Sequence, residues 1–454
     1  MFSNLDNQVL DKISFALLIA IIFLVPLIYL PNLESQSGTI YKIGSYDQIV
    51  PLNEDLTTKP KFYSLLILEA LLLIVFYLKI KKNNSQLDWR QEYLPVVVFM
   101  GLVVISALLS PYKNIVLYGK SYRHEGVLAF IAYAIVFFST ISIIDTRAKL
   151  KKFINYLFVS GTIIALIGLV QYGGYDLIKL QAEQIRAEST IGNSNFAGSY
   201  VSMLFPLSLV IFFYAQSKKE LWTLGAVTTL FYSFLFATGT KSAYVALFAV
   251  IPIMVYFIYD KLIKHKKRLV VLAIVLFLVT ILLGQINPNN SLQRFSSLFS
   301  DANKLVKGTE EQRNGVGANR MYIYKTTVPL LTDRPWFGSG PDTFQLAYPQ
   351  EKYREYKDEL VILDKAHSEY LQLGVTLGLP ALFAYLWFVV VVLKTNLKTM
   401  QLERKYQVAL LLAVVAYLVQ ATFNISVIAV APVFWSLLAL NIVVADLNSG
   451  KDFE

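Results

Sequence analysis

The sequence predicts an all-α polytopic membrane protein of about twelve transmembrane helices. Both termini are expected in the cytoplasm, with one large, partly helical external loop between spans nine and ten. Three observations predict this. Of 454 residues, 56% are hydrophobic and only 16% charged, and mean hydropathy is +0.52; a soluble chain of this length needs more charge to cover its surface. Apolar runs of about 17–25 residues recur, the length that a hydrocarbon core of roughly 30 Å demands of a helix satisfying its own amides. Lys and Arg cluster in alternate connections, as the positive-inside bias requires.

The runs begin near Ile13, Phe62, Leu94, Val127, Phe153, Ile191, Leu221, Ala243, Leu269, Ser368, Tyr406 and Ala431. Ile13–Leu30 is long for a signal-peptide core, lacks a basic leader and runs into Pro31-Asn32, so it is expected to stay as an uncleaved first helix. The connections at Lys79–Lys82, Arg147–Lys152, Lys218-Lys219, Lys261–Arg268 and Lys394–Lys405 form the basic, cytoplasmic set. Those at Pro31–Lys61, Pro111–Glu125, Tyr172–Ser189 and Gly239–Lys241 are poorer in positives and are expected outside. The chain thus divides into residues 1–285 with spans one to nine, 286–367 as the external loop, and 368–454 with spans ten to twelve and a cytoplasmic tail. Within the loop, Asn287-Pro288-Asn289-Asn290-Ser291 reads as a turn and Asn314-Gly315-Val316-Gly317 as a Gly-punctuated break. A helix is expected from Asn319, with Ile323, Tyr324, Thr327, Leu330 and Leu331 on one face, ending at Arg334-Pro335. Long loops in compact architectures are usually functional.

The chain has no cysteine, which excludes disulfides, thiolate nucleophiles, iron–sulfur clusters and Cys-type zinc sites. A net charge of +10 and a pI near 9.3 would suggest nucleic acid for a soluble protein; here the basic residues of short loops set topology, and no nucleic-acid partner is expected. Ionisable residues within the spans are scarce, Glu69 being the clearest, which argues against a proton- or ion-coupled transporter.

Charged groups gather instead at the outer ends of the spans. Lys241 lies in the tight Thr238-Gly239-Thr240-Lys241-Ser242 hairpin, and Arg123 and Glu125 in Tyr122-Arg123-His124-Glu125-Gly126. Arg320 opens the loop helix, and His367 stands where the loop re-enters the membrane. Three cations and an imidazole suit a diphosphate and a hydroxyl. A guanidinium or ammonium stabilises charge on a departing phosphate, and an imidazole can take the proton of an attacking hydroxyl. No Asp-x-Asp, His-Glu-x-x-His or Cys/His cluster offers a metal site, so neither metal nor cofactor is expected.

Each residue has a plainer reading. A lone interfacial His is often structural, and interfacial Arg and Lys often snorkel to lipid head groups. His265 sits among cytoplasmic lysines as a topological residue, and His124 carries no assignment. Gly338-Ser339-Gly340-Pro341 is a turn, not a phosphate loop, because no Gly-Lys-Ser/Thr follows. In Gly192-Asn193-Ser194-Asn195, the Asn side chains are expected to cap a helix start.

Taken in order, Arg320, Asp333-Arg334-Pro335-Trp336-Phe337-Gly338-Ser339-Gly340, Phe344, His367-Ser368-Glu369-Tyr370-Leu371-Gln372 and Gly378-Leu379-Pro380 resemble the signature of the O-antigen ligase and polymerase superfamily. Arg123–Gly126, Gly192–Asn195 and Thr238–Lys241 resemble weaker landmarks of that family, so the likeness spans most of the chain. Two positions depart from it: Thr240-Lys241 stands where the family often has Ser-Arg, and Ser368 where it has Asn. The resemblance implies metal-independent, inverting transfer of a glycan from undecaprenyl diphosphate to a hydroxyl of a glycan, lipid or protein. The reaction would run at the outer face of the cytoplasmic (inner) membrane. His367 would activate or orient the acceptor, while Arg320 and Lys241 hold the diphosphate, with Arg123, Glu125 and Tyr370 as further diphosphate or glycan contacts. The polyisoprenyl tail would lie in a groove open to membrane lipids. The alternatives are a polymerase of lipid-linked repeat units, a protein O-oligosaccharyltransferase and, from a different class, a lipid-linked glycan flippase.

Overall fold

The computed structural model describes residues 6–30, 38–43, 46–51, 57–83, 89–175, 186–287, 291–357, 361–400 and 404–449. The protein is a multi-pass bundle of apolar helices, with one antiparallel hairpin pairing Gly38–Ile43 with Tyr46–Pro51. Among the described residues, ten helices are long and apolar enough to cross a membrane. Every run expected from sequence lies in a helix, but two fall outside those ten. Val127–Ile143 is a shorter apolar helix, and Arg404–Ala421 is an 18-residue helix whose first turn carries Arg404 and Lys405.

The run expected as one span from Ser368 is broken in two, Glu369–Leu377 and Leu379–Lys398. Gly378 separates them at φ 92°, and Pro380 sits at the start of the second helix, where its missing N–H costs no intrahelical bond. The Asn287–Ser291 turn lies largely outside the described residues, as do parts of the segments at 31–61 and 172–189 expected outside and the end of the C-terminal tail.

Burial separates the centre of the bundle from its rim. Ser194–Phe213 and Ala431–Asn448 are each 94% buried, whereas Lys266–Ile286 is only 17% buried, so the latter presents its aliphatic side chains to lipid. Ser194–Phe213 packs against Lys218–Thr238 and Arg404–Ala421, and Ala431–Asn448 against Val127–Ile143 and Leu379–Lys398. Some polar groups inside the bundle pair with one another: Asn396 Nδ2 donates to the Gln407 carbonyl at 3.2 Å, and Arg90 pairs with Asp446. The Asn193 side chain accepts the Asn195 amide at 2.9 Å and caps Ser194–Phe213, as its sequence suggested.

The long loop is more helical than its sequence indicated. It contains Ser291–Lys307, Glu310–Asn314, Val316–Thr327, Phe344–Ala347 and Gln350–Lys357. The Gly-punctuated break is real: Gly317, Ala318 and Asn319 all take left-handed backbone, so the helix is kinked just before Arg320. Ile323, Phe344, Tyr348, Tyr353 and Leu363 form a small separate core under the loop.

Candidate active site

The turn Pro335–Gly340 clamps the end of the helix Glu369–Leu377. Ser339 and Gly340 donate their amides to the carbonyls of Val375 (3.1 Å) and Thr376 (2.7 Å), and Leu379 donates to the Pro335 carbonyl at 2.7 Å. These bonds satisfy groups that a helix end leaves open. Ser106 and Ser110, on and just after the helix Leu94–Leu109, donate their hydroxyls to Phe337 O (2.6 Å) and Ser339 O (2.5 Å). Gly338 holds φ 61°, and a Cβ there would overlap the Thr376 carbonyl group. The family-like turn is therefore a backbone clamp that fixes the helix behind His367.

His367 sits at the opposite end of that helix. The Ala366 amide donates to Gln372 Oε1 at 2.9 Å, and Ser368 caps the helix by accepting the Leu371 amide at 3.5 Å. Asn and Ser serve almost equally as N-caps, so the Ser368 departure is accommodated. His367 itself takes φ 52°, and its carbonyl accepts the Tyr324 hydroxyl at 2.9 Å. Two residues on, Glu369 is buried and accepts the Tyr385 and Tyr417 hydroxyls, each at 2.8 Å. Backbone and helix are thus anchored on both sides of the imidazole, whose nitrogens have no hydrogen-bond partner among the described residues.

Tyr324 lies one helical turn after Arg320, so the bond from Tyr324 to His367 brings the guanidinium to the imidazole's side. Arg320 has no ion pair or hydrogen bond among the described residues. Burial lowers the His367 pKa well below the usual imidazole range, and Lys365 and Arg320 push the same way, while Asp364 opposes them. Burial likewise lowers Arg320, with Arg294 adding to the effect and Tyr324 opposing it. At neutral pH the site is a neutral imidazole beside an unpaired guanidinium, able to accept a proton and to hold an anion.

The other residues singled out from sequence are engaged within the protein. Lys241, the first residue of Lys241–Lys264 just after the expected tight turn, pairs with Asp301 Oδ2 at 2.7 Å. Arg123 Nε lies 3.1 Å from Asp342 Oδ1, and its Nη1 donates to the Asp364 carbonyl at 3.3 Å. Glu125 accepts the Tyr133 hydroxyl at 2.7 Å, and Tyr370 donates to the Leu418 carbonyl at 2.7 Å. Arg123, Glu125, Asp342, Glu369 and Gln372 line a cavity of about 30 Å³ behind the His367 turn. His124 stacks on Phe62 with ring centroids 4.8 Å apart. Glu69 is buried in Thr58–Asn83, and its Oε1 has no hydrogen-bond partner among the described residues.

Three cations near the site were not singled out from sequence. Lys365 pairs with Asp364 at 3.3 Å. Arg186 Nε donates to the Thr238 carbonyl at 2.8 Å, and its Nη2 reaches Asn195 Oδ1 (3.1 Å) and Thr240 Oγ1 (3.2 Å). Arg294 Nε donates to the Gly239 carbonyl at 2.7 Å. Arg186 had counted only toward topology. Arg294 belongs to Ser291–Lys307, a helix whose 3.6-residue amphipathic period could have revealed it.

The fold is that of a multi-pass, helical membrane protein. A family model described as O-antigen ligase matches residues 226–386, an interval that includes Lys241, Arg320, the Pro335–Gly340 clamp and His367. That match, over about a third of the chain, supports membership of the O-antigen ligase and polymerase superfamily and suggests a glycosyl-transferring enzyme. No curated protein matches the chain.

Proposed function

We propose that this protein transfers a glycan from undecaprenyl diphosphate to an acceptor hydroxyl at the outer face of the cytoplasmic membrane, in the manner of an O-antigen ligase. The observation that carries the reading is the His367 imidazole, which has no hydrogen-bond partner among the described residues and is lowered in pKa by burial, with Lys365 and Arg320 pressing the same way. An imidazole nitrogen of His367 takes the acceptor's hydroxyl proton as the oxygen attacks the anomeric carbon. The bond from that carbon to the diphosphate oxygen breaks in line, inverting the centre, and the lipid diphosphate leaves with the electron pair. Arg320 stabilises the leaving charge, the part a divalent metal often plays, which makes the reaction metal-independent. Lys241 stands second to Arg320, since its ammonium already carries Asp301.

Residues 286–367 act as the catalytic loop between the spans in 1–285 and those in 368–454. The positive-inside pattern supports an external loop and cytoplasmic termini. One large loop favours a ligase over a polymerase or a protein glycosyltransferase. A flippase would need cations in a central cavity and would have no use for His367.

The test is incubation of purified protein with native lipid-linked glycan and lipid, glycan or protein acceptors in excess chelator, reading release of undecaprenyl diphosphate. Acceptor-dependent release is expected. Its absence with every acceptor, or its rescue by one divalent ion, would contradict the reading.

A further inference from the structure

Two arginines meet across one glycine. A Cβ at Gly239, which holds φ 57°, would lie 3.1 Å from Arg294 Cδ and 3.5 Å from Arg186 Nε, so both side chains converge on the turn between Lys218–Thr238 and Lys241–Lys264. Each is fixed there through its Nε, Arg186 on the Thr238 carbonyl and Arg294 on the Gly239 carbonyl. A guanidinium has five N–H donors. After the bonds of Arg186 to Asn195 and Thr240, the Nη1 donors of Arg186 and all the Nη donors of Arg294 have no partner among the described residues. Nor are these atoms sealed from solvent, since none is among the buried, unsatisfied ones.

Among the described residues, no ion pair neutralises the two guanidiniums or Arg320. Burial and Arg294 lower Arg186 to about 10, with Glu188 opposing; Arg320 also presses on Arg186. At Arg294 and Arg320 the opposing influence comes from tyrosines rather than carboxylates. Two like charges held close with donors to spare, and a third whose charge acts on them, are costly unless an anion joins them. Lys241 next to them has its own counter-charge in Asp301.

We propose that Arg186 and Arg294, together with Arg320, form the cradle for the lipid diphosphate, and that they supply the planar, forked donors that Lys241 lacks. This rests on the reading of the donor as a lipid diphosphate. A diphosphate diester is a dianion with oxygens on two phosphorus centres, and forked guanidiniums can engage both. Gly239 is then required twice, for its left-handed backbone and for the space that the two arginines occupy.

The experiment measures binding of undecaprenyl diphosphate to the full-length protein in neutral nanodiscs. Inorganic pyrophosphate and nanodiscs containing phosphatidylglycerol serve as competing arms. Arg294→Gln and Arg186→Gln should each weaken binding about 10- to 100-fold, the loss expected of a charge-assisted bond. Lys241→Gln should weaken it less than either arginine variant does, as for an ammonium already paired. Arg186→Lys, which keeps charge without the fork, should fall between. Pyrophosphate should compete and phosphatidylglycerol should not. Should Arg186→Gln fail to fold, the half-buried Arg294 decides the matter. Unchanged binding by Arg294→Gln, an equal loss in Lys241→Gln, or competition by phosphatidylglycerol would overturn the cradle while leaving the transfer reaction standing. No binding by the wild-type protein would overturn both.

Discussion

The Gln372 side chain accepts the Ala366 amide at 2.9 Å, closing the turn that holds His367 in left-handed backbone. Ala366 is fully buried there, so the amide has no water to turn to if the glutamine is lost. Gln372→Ala should therefore leave the bundle folded and displace the imidazole. Misplacing a reacting group by about 1 Å can cost about 10²-fold. Transfer should fall about 10- to 100-fold, with affinity for the lipid diphosphate within about threefold of wild type. Single-turnover transfer and donor binding, measured on the same preparation, check this.

Gly338 and Gly315 give a paired test of the clamp. Gly338→Ala puts a Cβ into the Thr376 carbonyl group at φ 61°, and should cost about 2 kcal/mol or more. Gly315 holds φ −72° with nothing nearer than 3.7 Å, so Gly315→Ala should stay within about 0.5 kcal/mol. Thermal unfolding in detergent should show a clear loss for the first and none for the second. Equal melting temperatures would mean that the clamp does not hold the helix.

The depressed pKa of His367 sets a pH signature. A histidine whose pKa is lowered keeps its neutral, proton-accepting form below the usual value of about 6.5, so kcat/KM should show no acid loss near that value from this group. A bound diphosphate adds negative charge beside the ring and favours the imidazolium, which raises the pKa in the complex. The acid limb of kcat should therefore lie at higher pH than that of kcat/KM. The reverse order would place the controlling proton elsewhere.

Orientation can be read with single cysteines, since the native chain has none. Ser300 and Ser217 are both exposed. Ser300→Cys, in the long loop, should react with an impermeant maleimide in intact cells, and Ser217→Cys only after permeabilisation. Outside labelling of Ser217→Cys would invert the assigned topology.

Local chemistry made much of this protein legible in its sequence. The hairpin before Lys241, the cap at Asn193, the break at Gly317 and the turn at Gly338 each depend on residues adjacent in the chain. The division at Gly378 was missed because an apolar run on both sides outweighed a single glycine whose positive φ is set by the Pro335 clamp. The meeting place of Asp301, Arg186 and Arg294 was illegible for another reason. Their meeting with the 238–241 turn is made by packing of segments some fifty to sixty residues distant in sequence, and no period or motif encodes it.

The central claim is that His367 handles the acceptor proton while Arg320 holds the donor. Single-turnover transfer and lipid diphosphate affinity, measured for His367→Ala and Arg320→Ala at equal folded yield, test it most directly. His367→Ala should lose about 10²–10⁴-fold in turnover and keep its donor affinity. Arg320→Ala should lose both, and Arg320→Lys should recover only part. Near wild-type transfer by His367→Ala would contradict the account and return the imidazole to a structural role.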